Sequence, residues 1–363
     1  MNEEQLLTYL RDIITGISDA VAESDLSEEQ QVEALVRDIK DLLDQFSFEV
    51  EKVIPEAILL TYFGGVDEAT KALKSAGVSI RATTAVTPTK EIAKSFQSKI
   101  HMDAVKVLLD DTLLDFRAAI RTAEMSATSN ITKTLENVKG DLAKGVIVGD
   151  PRKVIQAQVA KSFAKDGLTA FVTSDGKKLP LDFYAMTVTR YKTREAANAG
   201  ATNRYIENGQ DLVQVTGNSD TCPVCARHRG MVISLNGLTP GYPVVGEDDV
   251  RIGPYHPNCR CGVMPFVLRF KTEEELAEAH KRNESYKPWD DPRTPAQKRA
   301  YEREQTARRK ANDEKKQYAR WKMALGDDAP KTLGAFRRMK RQGTTKFQEM
   351  QAEYKRIMRD DVK

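Results

Sequence analysis

Apolar residues along the first part of the chain recur at alternating spacings of four and three. Between Glu28 and Pro55 they fall at Val32, Val36, Ile39, Leu43, Phe46, Val50 and Val53, run on to Ala57, and are widened by Leu35 and Leu42. That period keeps one face of an α-helix apolar, and its alternation is of the coiled-coil type. Ser27, with Gln30 three residues on, predicts an N-cap and capping box, and Pro55 predicts a kink or an end. A shorter helix is expected from Glu3 to Val21, with Leu6, Leu10, Ile13, Ile14 and Ile17 on one face. A second long helix is expected to start near Pro88, capped by Thr87. It carries Val105, Leu109, Leu113, Phe116, Ile120 and Ala123, then Ile131, Leu135, Val138 and Leu142. Such stripes either pack helix on helix within the chain or dock part of their length on a partner protein.

The texture changes after Gly145. Val154 to Lys165 reads as a short amphipathic helix. Thr169 to Asp175 reads as a strand entering the turn Ser174-Asp175-Gly176, with Lys177 to Leu181 returning as the other arm of a hairpin. Asp182 to Glu207 is helical in pattern, and Leu212 to Thr216, Met231 to Ser234 and Val263 to Val267 are short β runs. Beyond Arg269 the pattern is again helical and heavily charged, broken by the prolines between Ser285 and Pro295. The expected fold class is therefore α+β, mostly α, in three parts. These are a long helical region over 1–145, a small central α+β domain over 146–270, and a charged helical tail over 271–363.

Composition narrows the class. Of 363 residues, 30% are charged and 40% hydrophobic, and no apolar run approaches the roughly 18 residues of a membrane span. The acidic start, Met1-Asn2-Glu3-Glu4, is unlike a signal peptide, so a cytoplasm-like compartment and no membrane partner are expected. The net charge of +3 divides into −11 over residues 1–60, +6 over 61–270 and +8 over 271–363. An acidic head and a basic tail should face different partners. Within the tail, Arg337, Arg338, Lys340 and Arg341 crowd one short helical stretch. They form either a solvated helix face or a contact to nucleic acid or an acidic protein.

All four cysteines lie between Cys222 and Cys261. Cys222-Pro223-Val224-Cys225 is a C-x2-C turn, and His256-Pro257-Asn258-Cys259-Arg260-Cys261 follows after 30 intervening residues. Thiolates and an imidazole from two such turns can close a tetrahedron around Zn2+. Cys222, Cys225 and Cys259 supply three ligands, and either His256 or Cys261 the fourth; His228 is a more remote candidate. Buried thiols without metal and a disulfide are the competing readings. Other chemistry is sparse. There is no phosphate-binding loop, no H-E-x-x-H, no G-x-S-x-G and no dinucleotide fingerprint. The deaminase pairing of H-x-E with P-C-x-x-C is not met, since Thr221 precedes Cys222 and the nearest upstream histidine stands in His101-Met102-Asp103. A His256/Cys259 nucleophilic pair can be drawn, but neighbours in sequence are more often ligands or turn formers. No catalytic residue is expected.

At this cluster the chain resembles a known group. Asp220-Thr221-Cys222-Pro223-Val224-Cys225, then Arg229-Gly230-Met231-Val232-Ile233-Ser234, then His256-Pro257-Asn258-Cys259-Arg260-Cys261 resemble the signature of tailed-phage minor head proteins. These are the phage Mu F-like head morphogenesis family, and in particular the phage minor capsid protein 2 group. Gly176 to Met186, Thr189-Arg190, Asp211 to Val215 and the charged run Gln297 to Arg303 are similar to the same group, so the resemblance covers about 170 to 350. It implies a virion protein in few copies at the portal vertex, incorporated during head assembly in the host cytoplasm. The implied partners are the portal protein, head or scaffold proteins and packaged double-stranded DNA, with a role in packaging or ejection. A zinc-stapled nucleic-acid binding protein is the alternative. An enzyme related to toxins or ADP-ribosyltransferases, to which such domains are sometimes fused or linked, is the third.

Overall fold

The computed structural model describes residues 2–80, 98–144 and 168–359, apart from 25, 27, 175 and 218–221, together with 158, 159 and 162. The expected helix start at Thr87-Pro88 and most of the expected helix 154–165 lie outside these residues.

Three helices come first: α1 (Glu3–Glu23), α2 (Glu29–Ser75) and α3 (Lys99–Ala143). A capping box closes the start of α1, where the Asn2 side chain accepts the Gln5 N–H and Gln5 reaches back to Asn2. The apolar stripes pack inside the chain. Leu6, Leu10, Ile13 and Ile17 of α1 and Ile39, Leu43, Phe46, Val50 and Val53 of α2 share one core with Phe116, Ile120, Ala123 and Ile131 of α3.

Two expectations concern the start and the middle of α2. Its N-cap is Glu28, which makes no side-chain capping bond; the capping box expected on Ser27 falls on a residue outside the described ones. Of the kink or end expected at Pro55, the end does not occur, for α2 continues twenty residues further. A proline inside a helix costs about 3 kcal/mol. Val53, Ile54 and Ile58 are buried around it, and at roughly 1.5–3 kcal/mol for each large apolar side chain their burial outweighs that cost.

A hairpin follows, with β1 (Thr169–Val172) antiparallel to β2 (Lys178–Pro180), as the turn at 174–176 predicts. It leads into α4 (Leu181–Glu207), which lies along α2 and α3 and adds Leu181, Ala185, Val188 and Ala196 to the first core. The α2–α4 crossing is close. A Cβ at Gly65 would overlap the Ala197 carbonyl oxygen, and one at Gly200 would overlap the Tyr62 carbonyl oxygen.

The central sheet is three-stranded and antiparallel, in the order β4 (Val232–Ser234), β3 (Leu212–Thr216), β5 (Gly262–Pro265). Between β3 and β4 sits α5 (Pro223–His228). After β5 comes α6 (Glu273–Glu284), opened by a capping box between Thr272 and Glu275. The edge strand β4 is completed by a side chain of α6: Asn283 accepts the Val232 N–H at 3.1 Å and donates to the Val232 carbonyl at 2.9 Å.

The tail is α7 (Pro295–Leu325), α8 (Leu333–Gln342) and α9 (Thr345–Arg359). Its core is aromatic: Trp321 stacks on Phe347 and meets Phe336 edge-on. The described residues thus show the expected mostly helical α+β class. No helix among them is long and apolar enough to cross a membrane.

Candidate metal centre

The sheet delivers both Cys/His turns to one place. β3 runs out toward α5, whose N-cap is Cys222; the Cys222 Sγ accepts the Cys225 N–H at 3.4 Å, and Pro223 occupies the first helical turn where no N–H is needed. The far end of α5 is tied to α6 by the Arg282 guanidinium, which donates to the carbonyls of Arg229 (2.9 Å), Ala226 (3.3 Å) and Arg227. On the other side the chain enters β5 through a tight turn. The Cys259 N–H donates to the His256 carbonyl at 2.9 Å, and the Asn258 N–H to His256 Nδ1 at 3.3 Å.

Cys225 is the shared member of the cluster. Its Sγ lies 3.1 Å from His256 Nε2 and 3.5 Å from Cys259 Sγ. The donor atoms of Cys222, Cys225 and His256 all lie within 4.8 Å of one another, as do those of Cys225, Cys259 and Cys261. Cys225, Cys259 and Cys261 are buried, while Cys222 and His256 are half-buried. All five ligand candidates therefore meet, as two trios with one vertex in common. No disulfide joins the four described cysteines, which corrects the disulfide reading.

Hydrogen bonds set the protonation pattern. Those from Cys225 and His256 hold the Cys222 thiol down at about 4 against burial. Bonds from Cys225 and Cys261 likewise lower Cys259. A bond with Cys225 pulls Cys261 down, but its neighbour Cys259 and burial push it up to about 12. His256 is raised, chiefly by its bond with Cys222. The cluster thus concentrates thiolate charge at Cys222 and Cys259, beside an imidazole, in a partly desolvated pocket.

That donor set fits a metal. Sulfur about 2.3 Å and nitrogen about 2.0 Å from a tetrahedral Zn2+ stand about 3.5–3.8 Å from each other. The separations around Cys225 are within about half an ångström of those edges.

A family model described as phage minor capsid protein 2 matches residues 2–344. The chain belongs to this family. Comparison with the curated proteins and with the solved structures gave no match. The resemblance in the sequence begins near residue 170, whereas the family match reaches back through α1, α2 and α3. Membership gives this capsid protein a structural role in a bacteriophage particle and a place in the virion, among other head proteins.

Elsewhere in the family member, His228 is engaged apart from the cluster. Its Nδ1 donates to the Val224 carbonyl at 2.9 Å, its Nε2 faces the Tyr286 hydroxyl at 3.3 Å, and its ring stacks on Tyr255. Burial lowers its pKa, so it is a neutral packing residue. The basic stretch of α8 is divided. Arg337 bonds to Glu314 and to the Ala311 carbonyl, and Lys340 bonds to Gln317, while Arg338 and Arg341 are exposed.

Sequence reasoning passed over a buried polar relay where α2, α3 and α4 meet. The Asn203 side chain donates to the Tyr62 hydroxyl, which lies 2.8 Å from His101 Nδ1; His101 Nε2 is 3.5 Å from Glu207, which also receives Arg204 at 2.5 Å. Arg204 and His101 are almost wholly buried. The one signal available was a histidine and an arginine on otherwise apolar or small-residue helix faces.

Proposed function

We propose that this chain is a minor structural component of a tailed-phage head seated at the portal vertex. It joins during head assembly in the host cytoplasm, bridges portal and head or scaffold proteins, and touches packaged DNA. It has no catalytic task. The family match over residues 2–344 is the observation that carries this reading. The division of charge supports the bridge: an acidic first segment of −11 suits a basic protein surface, and a basic tail of +8 suits a polyanion. Arg338 and Arg341, exposed on α8, are the residues for DNA. The Cys/His cluster takes a structural Zn2+ that fastens α5 to the turn before β5, since metal-binding free energy is folding free energy.

A photo-crosslinking residue in place of the exposed Phe48 on α2 tests the placement. In isolated procapsids it should capture the portal protein. Crosslinks to the major head protein without portal would overturn the vertex placement, and absence of the chain from purified virions would overturn the structural role.

A further inference from the structure

The two turns of the cluster are built alike. Cys222-Pro223-Val224-Cys225 and His256-Pro257-Asn258-Cys259 share the order ligand, proline, any residue, cysteine. Each is closed on its first residue by backbone N–H groups: Cys225 N–H to Cys222 Sγ, and Cys259 N–H to the His256 carbonyl with Asn258 N–H to the His256 ring. In each, proline fixes the backbone of the second position and gives up an N–H that the turn does not use. Two such turns facing each other offer two ligands apiece, which is the count a tetrahedral structural site requires. The contact between them is already made, by Cys225 with His256 on one side and Cys259 on the other.

Cys261 stands outside this pairing. It lies in neither turn, immediately before β5, where its carbonyl accepts from the buried Asn198 side chain at 3.2 Å. Its sulfur packs toward the chain at the end of β3, where a Cβ on Gly217 would stand 3.1 Å from it. Its side chain is buried in the second core with Val215 and Met231, as are those of Cys225 and Cys259, whose sulfurs lie within 4.8 Å of its own.

We infer that Cys222, Cys225, His256 and Cys259 are the four ligands of a single Zn2+, and that Cys261 is a packing thiol beside the site. The inference rests on the zinc reading proposed above and narrows its five candidates to four. Ligation through His256 Nε2 moves the imidazole proton to Nδ1, so loading exchanges the Asn258 contact. Because thiolates are the ligands, uptake also releases protons.

Cobalt substitution of the full-length protein decides it, because the near-ultraviolet sulfur-to-cobalt absorption scales with the number of thiolates bound. The wild type should take up one Co2+ per chain with the intensity of three thiolates, and Zn2+ should displace it. Cys261→Ser should keep both stoichiometry and intensity, and His256→Cys should raise the intensity by one third. A wild-type spectrum of four thiolates, or the loss of one thiolate's intensity in Cys261→Ser, would overturn the ligand assignment while leaving zinc in place. No metal uptake at all would overturn the zinc reading and the assignment with it. The wild-type spectrum alone separates three thiolates from four, so a variant that fails to fold does not block the test.

Discussion

His101 presents none of its surface to solvent, yet it titrates near neutral pH in an ordinary setting. Its neighbours explain how it is tolerated. With the Tyr62 hydroxyl donating to Nδ1 and Nε2–H pointing at Glu207, the neutral ring has a partner on each nitrogen, the condition for burying a polar group cheaply. Burial lowers its pKa below 6.5, an effect larger than the opposing pull of Glu207. The sign of the linkage follows. Above about 6.5 the histidine is neutral in both folded and unfolded chains and costs nothing. As pH falls below that value the unfolded chain binds a proton that the folded chain still refuses, so stability drops until the lowered folded pKa is reached. Urea unfolding followed from pH 8 to pH 5 should show this loss, and His101→Gln should flatten part of the slope. His228 is lowered in the same direction, so the difference between wild type and variant isolates His101. Parallel pH profiles for the two proteins would refute the account.

Helix packing supplies its own contrast in the adjacent pair Gly64-Gly65. Gly65 faces α4 and has no room for a methyl group, whereas a Cβ on Gly64 meets nothing within 4 Å. Gly65→Ala should therefore destabilise by about 1–3 kcal/mol through overpacking. Gly64→Ala should be neutral or stabilising by up to about 1 kcal/mol, because alanine is the better helix former. Chemical denaturation of the two variants measures both, and equal effects would mean that α2 and α4 do not cross there. Nothing in the sequence separated these glycines, since a close approach depends on what lies across the interface. The apolar period did reveal α1, most of α2 and α3, and short β runs revealed the hairpin and the sheet. It did not show that α2 runs on past Pro55, where tertiary burial outweighs a local penalty, and it missed α5, whose six residues are too few to show a period. The Cys/His spacing announced the candidate site, but not that Cys225 is its shared vertex. The buried Arg204 was passed over, despite its apolar and small-residue neighbours, because a charge in a sequence is ordinarily assigned to solvent.

At the scale of the molecule, the tail has a core of its own. Its aromatic core of Trp321, Phe336, Phe347 and Met350 is distinct from the helical and sheet cores. A bond between Lys322 on α7 and Asp19 on α1 joins it to the first helix at 3.1 Å. Both partners are partly exposed, so that bond is worth little in salt solution. The same exposure argument sorts the basic residues of α8. Arg337 and Lys340 are spent on Glu314 and Gln317, holding α8 against α7, and would have to break those bonds to reach a phosphate. Arg338 and Arg341 are exposed at the surface. Binding of the full-length protein to duplex DNA should therefore weaken as salt rises, because each neutralised phosphate releases counterions. Arg338→Ala and Arg341→Ala should each lower the slope of log affinity against log salt by about one, evenly across DNA sequences. Arg337→Ala should leave that slope unchanged while loosening α8 from α7, a change visible as faster amide exchange in α8. A salt slope that responds to Arg337 and not to Arg338 or Arg341 would place the DNA contact on the inner side of the helix and overturn the proposed surface.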